Sequence, residues 1–397
     1  GGFIGSLGKI SLEKGRLTQV KIVDVYDIDG QIDDRKIKIT QPKFLSDNLK
    51  TDYLHVRDAN YSPSFPESAE RIKNLYTQVT DETVDGVIAL DLSTIEGLLK
   101  ITGPVFLPTF NETINENNIF ERAQFHSEAA YFPGSAQKKT FLSILGQQLI
   151  DNVFSLDKKK YLDLIKEVKK LLGQKHILVY IPEEQAIVSQ LNWDGRILNS
   201  TNDYLNVVDT NVGSNKSNYF VERSLDYRLE RNSREGEYLS ELRISYKHNG
   251  TSDAWPGGPY KNFLRVFVPK KTALLKVISS ENGSSEEGSD ITGKTEIGED
   301  LGKTFFATTF TVETGKSTTL VFTYVLPAGT IPLPENRYNL TVQKQLGTRN
   351  DGFKLKFKLP FGALLNPMPE NFKLFGDTIE WDGDLSEDRS FDIPLKQ

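Results

Sequence analysis

Apolar positions recur along this chain at two periods, and the balance between them changes near residue 200. In RLTQVKIVDVYDID, residues 16–29, apolar and polar side chains alternate around Leu17, Val20, Ile22, Val23 and Val25, which predicts a strand. It ends in the acidic cluster Asp24, Asp27 and Asp29, with DGQIDD following as a turn. Residues 66–79 take helical spacing: Pro66 stands at a favoured early position, and Ala69, Ile72, Leu75, Tyr76 and Val79 share one face. VDGVIALD, bounded by Asp85 and Asp91, reads as a short buried strand. STIEGLLKITGPV opens with a capping box, Ser93 to Glu96, and stops at Gly103-Pro104. The order strand, helix, strand, helix predicts a layered α/β sheet.

Residues 136–173 are the clearest helical stretch. Phe141, Leu142, Leu145, Leu149 and Val153 form one stripe; Tyr161, Leu164, Ile165, Val168, Leu171 and Leu172 form another. Ser155 to Asp157 interrupt them, so a helical hairpin is expected. HILVYIP then reads as a strand and EEQAIVSQL as a helix. Beyond residue 203, runs such as DYLNVVDTN, NYFVERSLDYRLE, EYLSELRISYKHN, NFLRVFVP and TTLVFTYVLP repeat with polar or Gly/Pro turns between them. No helical pattern intervenes, which predicts an antiparallel, immunoglobulin-like β-sandwich. Two domains are expected, 1–200 and 201–397, in an α+β chain.

Composition narrows the function classes. The 397 residues carry a net charge of −6, which argues against a general nucleic-acid binder. There are no cysteines, so disulfides and thiolate metal sites are excluded. The four histidines, His55, His126, His176 and His248, stand singly, without zinc-site spacing. No apolar run of about 18 residues is present. The chain opens GGFIGSLGKI, and Phe3, Ile4 and Leu7 read as a strand already under way, so a piece of a longer protein is expected.

Nucleophile-elbow, phosphate-loop and dinucleotide motifs are missing. The polar residues with chemical potential are Asp24, Asp27, Asp29, Arg57, Asp58, Asn60 and Asp91, several at or just beyond predicted strand ends. In open α/β sheets ligands bind outside the carboxyl ends of strands, where carboxylates hold a cation or act as a base and an arginine fork grips an anion. The plainer reading is turn chemistry and a solvated charge pair. Farther on, Asn211, Asn215, Lys216, Glu222 and Arg223 open the β region, read as a site or as a polar loop feeding a strand. Trp255, in the Pro/Gly loop DAWPGGPY, is a ring that could stack on a sugar or a partner.

The stretches GGFIGSLGKISLEKGRLTQVKIVDVYDID, RDANYSPSFPESAERIKNLYTQVTDETVDGVIALDLSTIEGLLKITGPV, YLNVVDTNVGSNKSNYFVERSLDY, NFLRVFVPK and YNLTVQKQLGT together resemble the bacterial family known as domain of unknown function 4012. That family is in turn similar to the LytR–CpsA–Psr domain. The resemblance implies a membrane-anchored, extracytoplasmic enzyme of the bacterial cell envelope. Such enzymes move a glycopolymer from a polyprenyl-pyrophosphate carrier onto the cell wall with Mg²⁺. By position it assigns Asp24, Asp27 and Asp91 to catalysis, with Asp24 and Asp27 at the metal. Arg57, Asp58, Asn60, Arg122, Lys138 and Lys139 fall to substrate binding. One departure stands out: SAQKKTFL offers Lys138 and Lys139 where the family carries arginines, so the bidentate grip on phosphate is lost.

Two readings therefore stand side by side. One is a glycopolymer transferase acting on a polyprenyl-linked substrate. The other is a non-catalytic envelope protein with a structural, adhesive or polysaccharide-binding role.

Overall fold

The computed structural model describes residues 3–126, 137–231, 238–281, 288–330, 337–360, 364–365 and 367–396. The chain divides into two compact units, Phe3–Ser46 with Thr51–Arg196, and Ile197–Gln397 with Asp47–Lys50.

The first unit opens with an antiparallel hairpin of β1 (Ser6–Glu13) and β2 (Arg16–Asp24). Lys14 and Gly15 both take positive φ at its two-residue turn, the conformation that matches strand twist. Then come α1 (Val25–Arg35), α2 (Lys43–Leu49), a 3-10 turn (Val56–Asp58) and α3 (Phe65–Thr80). Next follow β3 (Val87–Leu90), α4 (Leu92–Thr102), β4 (Val105–Leu107), β5 (Glu112–Ile114) and α5 (Ile119–Gln124). The helical hairpin is α6 (Gln137–Phe154) and α7 (Lys158–Gly173), with β6 (Ile177–Tyr180) and α8 (Gln185–Gln190) closing the unit. On α3, Phe65, Ala69, Ile72, Leu75 and Val79 are buried, as its helical period predicts. A second core gathers Leu99, Val105, Leu107, Ile114, Ile119, Phe141, Leu145 and Leu149 from α4, β4, β5, α5 and α6.

The layered α/β sheet expected here does not form among the described residues. Among the described residues, the strands of this unit pair only in three separate two-stranded antiparallel ladders, β1–β2, β3–β6 and β4–β5. The reason lies in burial. A parallel strand is covered on both faces, whereas in β3 Ile88 and Leu90 are 59% and 56% exposed. DVYDID also differs from expectation, since a helix begins at Val25, inside the predicted strand, and runs on through the DGQIDD segment read as a turn. Asp24 still pairs with Ser6 across the hairpin, and its carboxylate accepts the Tyr26 N–H at 3.0 Å, capping α1. Val25, Ile28 and Ile32 then bury one face of the new helix.

The second unit is a sandwich of two sheets. Its strands are β7 (Asp203–Asn211), β8 (Val221–Arg231), β9 (Tyr238–His248), β10 (Tyr260–Val268), β11 (Ala273–Glu281), β12 (Ser289–Asp290) and β13 (Glu296–Asp300). There follow β14 (Lys303–Val312), β15 (Ser317–Val325), β16 (Arg337–Gln343), β17 (Gly352–Lys358), β18 (Leu364–Leu365), β19 (Lys373–Phe375), β20 (Thr378–Asp384) and β21 (Arg389–Lys396). Among the described residues one sheet runs β13-β14-β10-β7-β16-β21-β18, and the other β12-β11-β15-β9-β8-β17-β20-β19. Alternate residues of β8 and β9, Leu225, Tyr227, Leu229, Leu242, Ile244 and Tyr246, face a shared core with Leu264, Val266, Phe306 and Phe322. Together the two sheets hold 15 strands among the described residues, more than the seven to nine of a whole immunoglobulin sandwich. They also contain two parallel ladders, β16 on β7 and β17 on β8, because each of these strands returns to the sheet after a long excursion instead of a tight hairpin.

Candidate functional site

Most of the polar residues singled out in the first unit have structural partners. Asp91 is the N-cap of α4, accepting the Thr94 N–H at 3.2 Å, and its Oδ2 lies 2.6 Å from His176 Nδ1. Arg122 forms a two-pronged pair with Glu112, which also contacts His126 Nε2 at 3.1 Å. Arg122 lies over the Phe125 ring as well. Asn60 is exposed, two residues past the 3-10 turn. Lys138 and Lys139 fall in the first turn of α6, where side chains lie outside the described residues.

Arg57 and Asp58 do meet other chemistry. Asp29 and Asp33, one turn apart on α1, present their carboxylates to the 53–57 stretch, Asp29 to the 3-10 turn Val56–Asp58 and Asp33 to Tyr53 and His55 just before it. Asp29 Oδ1 accepts the Val56 N–H at 2.7 Å, and Oδ2 accepts from Arg57 Nη1 at 3.0 Å. Asp33 accepts the Tyr53 hydroxyl at 2.7 Å and contacts His55 Nε2 at 3.1 Å. The other His55 nitrogen lies 3.4 Å from Arg57 Nη2. Asp58 is 3% exposed, neither of its oxygens has a hydrogen-bond partner, and Arg57 Nε stands 3.6 Å away. Burial raises the Asp58 carboxyl to about 6, against the pull of Arg57. Burial likewise raises Asp29, opposed by the Val56 N–H and Arg57. Asp33 is lowered, first by the Tyr53 hydroxyl and then by His55.

This cluster is not an anion grip. Two carboxylates share the Arg57 guanidinium and a third lies one helical turn away, so an arriving phosphate would meet repulsion. Nor do Asp24 and Asp27 fit a Mg²⁺ ion. Asp24 is committed to the α1 cap, and among the described residues no group of three His, Asp or Glu side chains could hold a metal. The sequence reading scattered His55 and left Asp33 out. The signal that unites them is the i, i+4 spacing of Asp29 and Asp33, visible only once 25–35 is assigned as helix.

A second, more built arrangement lies at one end of the sandwich. Its centre is Asp209, near the end of β7. Arg223, on β8, is buried and donates from Nη1 to Asp209 Oδ2 at 2.8 Å and from Nη2 to Asp351 Oδ2 at 2.6 Å. Asp209 Oδ1 accepts from Tyr246 at 2.8 Å and from Asn262 Nδ2 at 2.6 Å. Gln345 Oε1 accepts from Arg223 at 3.0 Å and from the Asp209 N–H at 3.0 Å, and Gln345 Nε2 donates to the Asp209 carbonyl at 2.8 Å. Burial works against the Arg223 charge, and Asp351 and Asp209 together outweigh it, so its pKa lies above the ordinary value. Such a network, satisfied atom by atom, fixes strand ends in one arrangement.

Above it, two loops are tied to each other. Asn211 Nδ2 donates to the Asn215 carbonyl and Asn218 Oδ1, at 3.1 and 3.2 Å. Asn215 Nδ2 donates to the Pro259 carbonyl at 3.0 Å, and Ser217 Oγ to Asn215 Oδ1 at 2.6 Å. The Lys216 N–H reaches the Pro256 carbonyl at 3.0 Å, joining the 212–220 loop to the 249–259 loop. His248, buried, contacts the Gly258 carbonyl through Nε2 at 3.0 Å and accepts the Gly250 N–H at Nδ1. This scaffold carries two large rings outward. Trp255 and Tyr219 are each 42% exposed, and Arg349 lies over the Tyr219 ring at 5.3 Å. Ser252 and Asp253 are exposed beside Trp255. Asn211, Asn215, Lys216, Arg223 and Trp255 were each visible in the sequence. The link between the two loops was not, because about 40 residues separate the partners.

Residues 1–129 match the model of a family described as "Protein of unknown function (DUF4012)". No curated protein matches the sequence. Among solved structures, the chain is similar to a Legionella pneumophila protein described as a candidate nutrient binding protein. That likeness is 8% identical with a TM-score of 0.32, over 48% of this chain and 71% of that one. The chain is also similar to leukotriene A4 hydrolase from Saccharomyces cerevisiae, at 10% identity and a TM-score of 0.25, over 45% of this chain and 29% of that one. It thus spans less than a third of the hydrolase.

Proposed function

We propose that this is a non-catalytic, polysaccharide-binding protein of the bacterial cell envelope. The observation that carries this reading is the pair of exposed rings, Trp255 and Tyr219, on loops held by the buried Asn211 and half-buried Asn215 amides, beside the Asp209–Arg223–Asp351 network. The faces of aromatic rings are electron-rich, and the C–H face of a pyranose is weakly positive and apolar, so the two stack. A rigid ring loses little freedom on binding, which is why pre-ordered loops favour weak, extended ligands such as glycans. Ser252 and Asp253 supply polar atoms for sugar hydroxyls beside the ring.

The envelope location follows the resemblance to the LytR–CpsA–Psr proteins. The transferase chemistry that the same resemblance implies gains less support. The residues it assigns to catalysis serve as a cap at Asp24 and a cap with a histidine partner at Asp91, and Arg57 is shared between carboxylates.

The test is a titration with β-1,4-linked N-acetylglucosamine oligomers and with soluble cell-wall polysaccharide, followed by tryptophan fluorescence and calorimetry. Trp193 and Trp381 are less exposed than Trp255, so a spectral change on binding should vanish in Trp255→Phe. Trp255→Ala should weaken binding about tenfold, the ~1.4 kcal/mol expected of one lost stacking partner. Binding of neither glycan by the folded wild-type chain, or affinity unchanged in Trp255→Ala, would refute the reading.

A further inference from the structure

The α6–α7 hairpin of the first unit carries a surface of a different kind, and its interpretation does not depend on the glycan reading. Residues 154–173, FSLDKKKYLDLIKEVKKLLG, hold six lysines against three carboxylates, in a chain whose net charge is −6. Asp157 is spent capping α7, accepting the Lys160 N–H at 2.9 Å. Lys166 pairs with Asp163 and Lys170 with Glu167 along the helix. Lys158, Lys159, Lys160 and Lys169 are all exposed, and six lysines against three carboxylates leave an excess of three positive charges.

The inner face of α7 is ordinary: Leu171 and Leu172 are buried, with Val168 packed beside them. Its outer face is not. Leu162 and Ile165, one turn apart, are 62% and 61% exposed, and Phe154, at the end of α6, is 64% exposed. The Tyr161 hydroxyl donates to the Phe154 carbonyl at 3.3 Å, which holds that corner against the first turn of α7. Single exposed apolar residues are common on any protein. Leu162 and Ile165 on one side of α7, flanked at helical spacing by the exposed Lys158 and Lys169, with Phe154 exposed at the end of α6, are a pattern with a partner: apolar side chains that enter an acyl boundary and ammonium groups that meet anionic headgroups. No helix among the described residues is long and apolar enough to cross a membrane, so the contact would be peripheral.

We infer that the outer face of α7, with Phe154, docks on an anionic lipid surface. Charge complementarity selects this occupant over a second copy of the chain, whose matching face would carry the same positive excess.

The experiment is co-sedimentation of the full chain with vesicles of phosphatidylcholine alone or with about a third phosphatidylglycerol, at 0.1 M and 0.5 M NaCl. The variants are L162E/I165E and K158A/K159A/K160A. All five positions are exposed, and circular dichroism checks the fold. The expected result is binding to the anionic vesicles only, reduced tenfold or more by 0.5 M salt and by either variant. Absent binding to anionic vesicles, equal binding to neutral ones, or binding indifferent to both variants would overturn the inference. So would a concentration-dependent dimer abolished in L162E/I165E, which would assign the face to self-association.

Discussion

Replacing Asp58 with asparagine isolates the strangest group in the first unit. The Asp58 carboxyl is buried, has no hydrogen bond, and forms a 3.6 Å ion pair with Arg57 Nε. Burial raises it from 3.8 to about 6, with Arg57 opposing and Asp29 reinforcing the rise. The folded state therefore holds the proton more tightly than the unfolded chain. Its stabilising effect is complete below pH ~3.8 and is lost as the pH climbs through ~6. The two values correspond to about 3 kcal/mol. In Asp58→Asn that titration is gone, while Arg57 keeps its partner Asp29 at 3.0 Å. The constant cost of a buried amide shifts the variant equally at every pH. The difference between variant and wild type should then swing by about 2.4 kcal/mol of that in the variant's favour between pH 4 and pH 7.5. For a unit of this size the swing is roughly 5–10 °C in Tm. Urea unfolding and calorimetry of both proteins at half-unit steps from pH 4 to 7.5 measure it. A difference that stays flat within about 0.5 kcal/mol across that range would show that Asp58 titrates as an ordinary surface carboxylate, and the argument from its burial would fail.

Two further substitutions probe the frames around the proposed sites. Arg223→Met leaves the half-buried Asp209 and the buried Asp351 without their cation, so a loss of about 3–5 kcal/mol is expected in urea unfolding monitored by near-ultraviolet dichroism. A loss below 1 kcal/mol would mean that the network does not fix the loop end of the sandwich. Asp91→Ala removes the α4 cap and the partner of buried His176, and should cost about 1.5–3 kcal/mol. An unchanged midpoint would contradict the structural role given to Asp91.

The sequence by itself determined the elements whose signal is local. The period of Ala69, Ile72, Leu75 and Val79 specified α3, and the break at Ser155–Asp157 specified the α6–α7 hairpin. In the second unit, alternation marked β8 and β9 closely, because alternate residues of each, Leu225, Tyr227 and Leu229 on one and Leu242, Ile244 and Tyr246 on the other, enter one core. Where the signal was ambiguous, tertiary context decided. DVYDID alternates well enough to continue a strand, yet Asp24 capping Tyr26 and the burial of Val25, Ile28 and Ile32 make it a helix. VIAL has the apolar run of a central parallel strand, but its only ladder partner among the described residues is β6, antiparallel, so one face stays open. The candidate sites were legible as residues and not as arrangements. Arg223, Asp209 and Asp351 lie up to 142 residues apart, and only the return of β17 beside β8 brings the second carboxylate to the guanidinium. Local spacing encodes which face a side chain takes. Which distant charge it meets is set by strand order, and strand order is a property of the folded core.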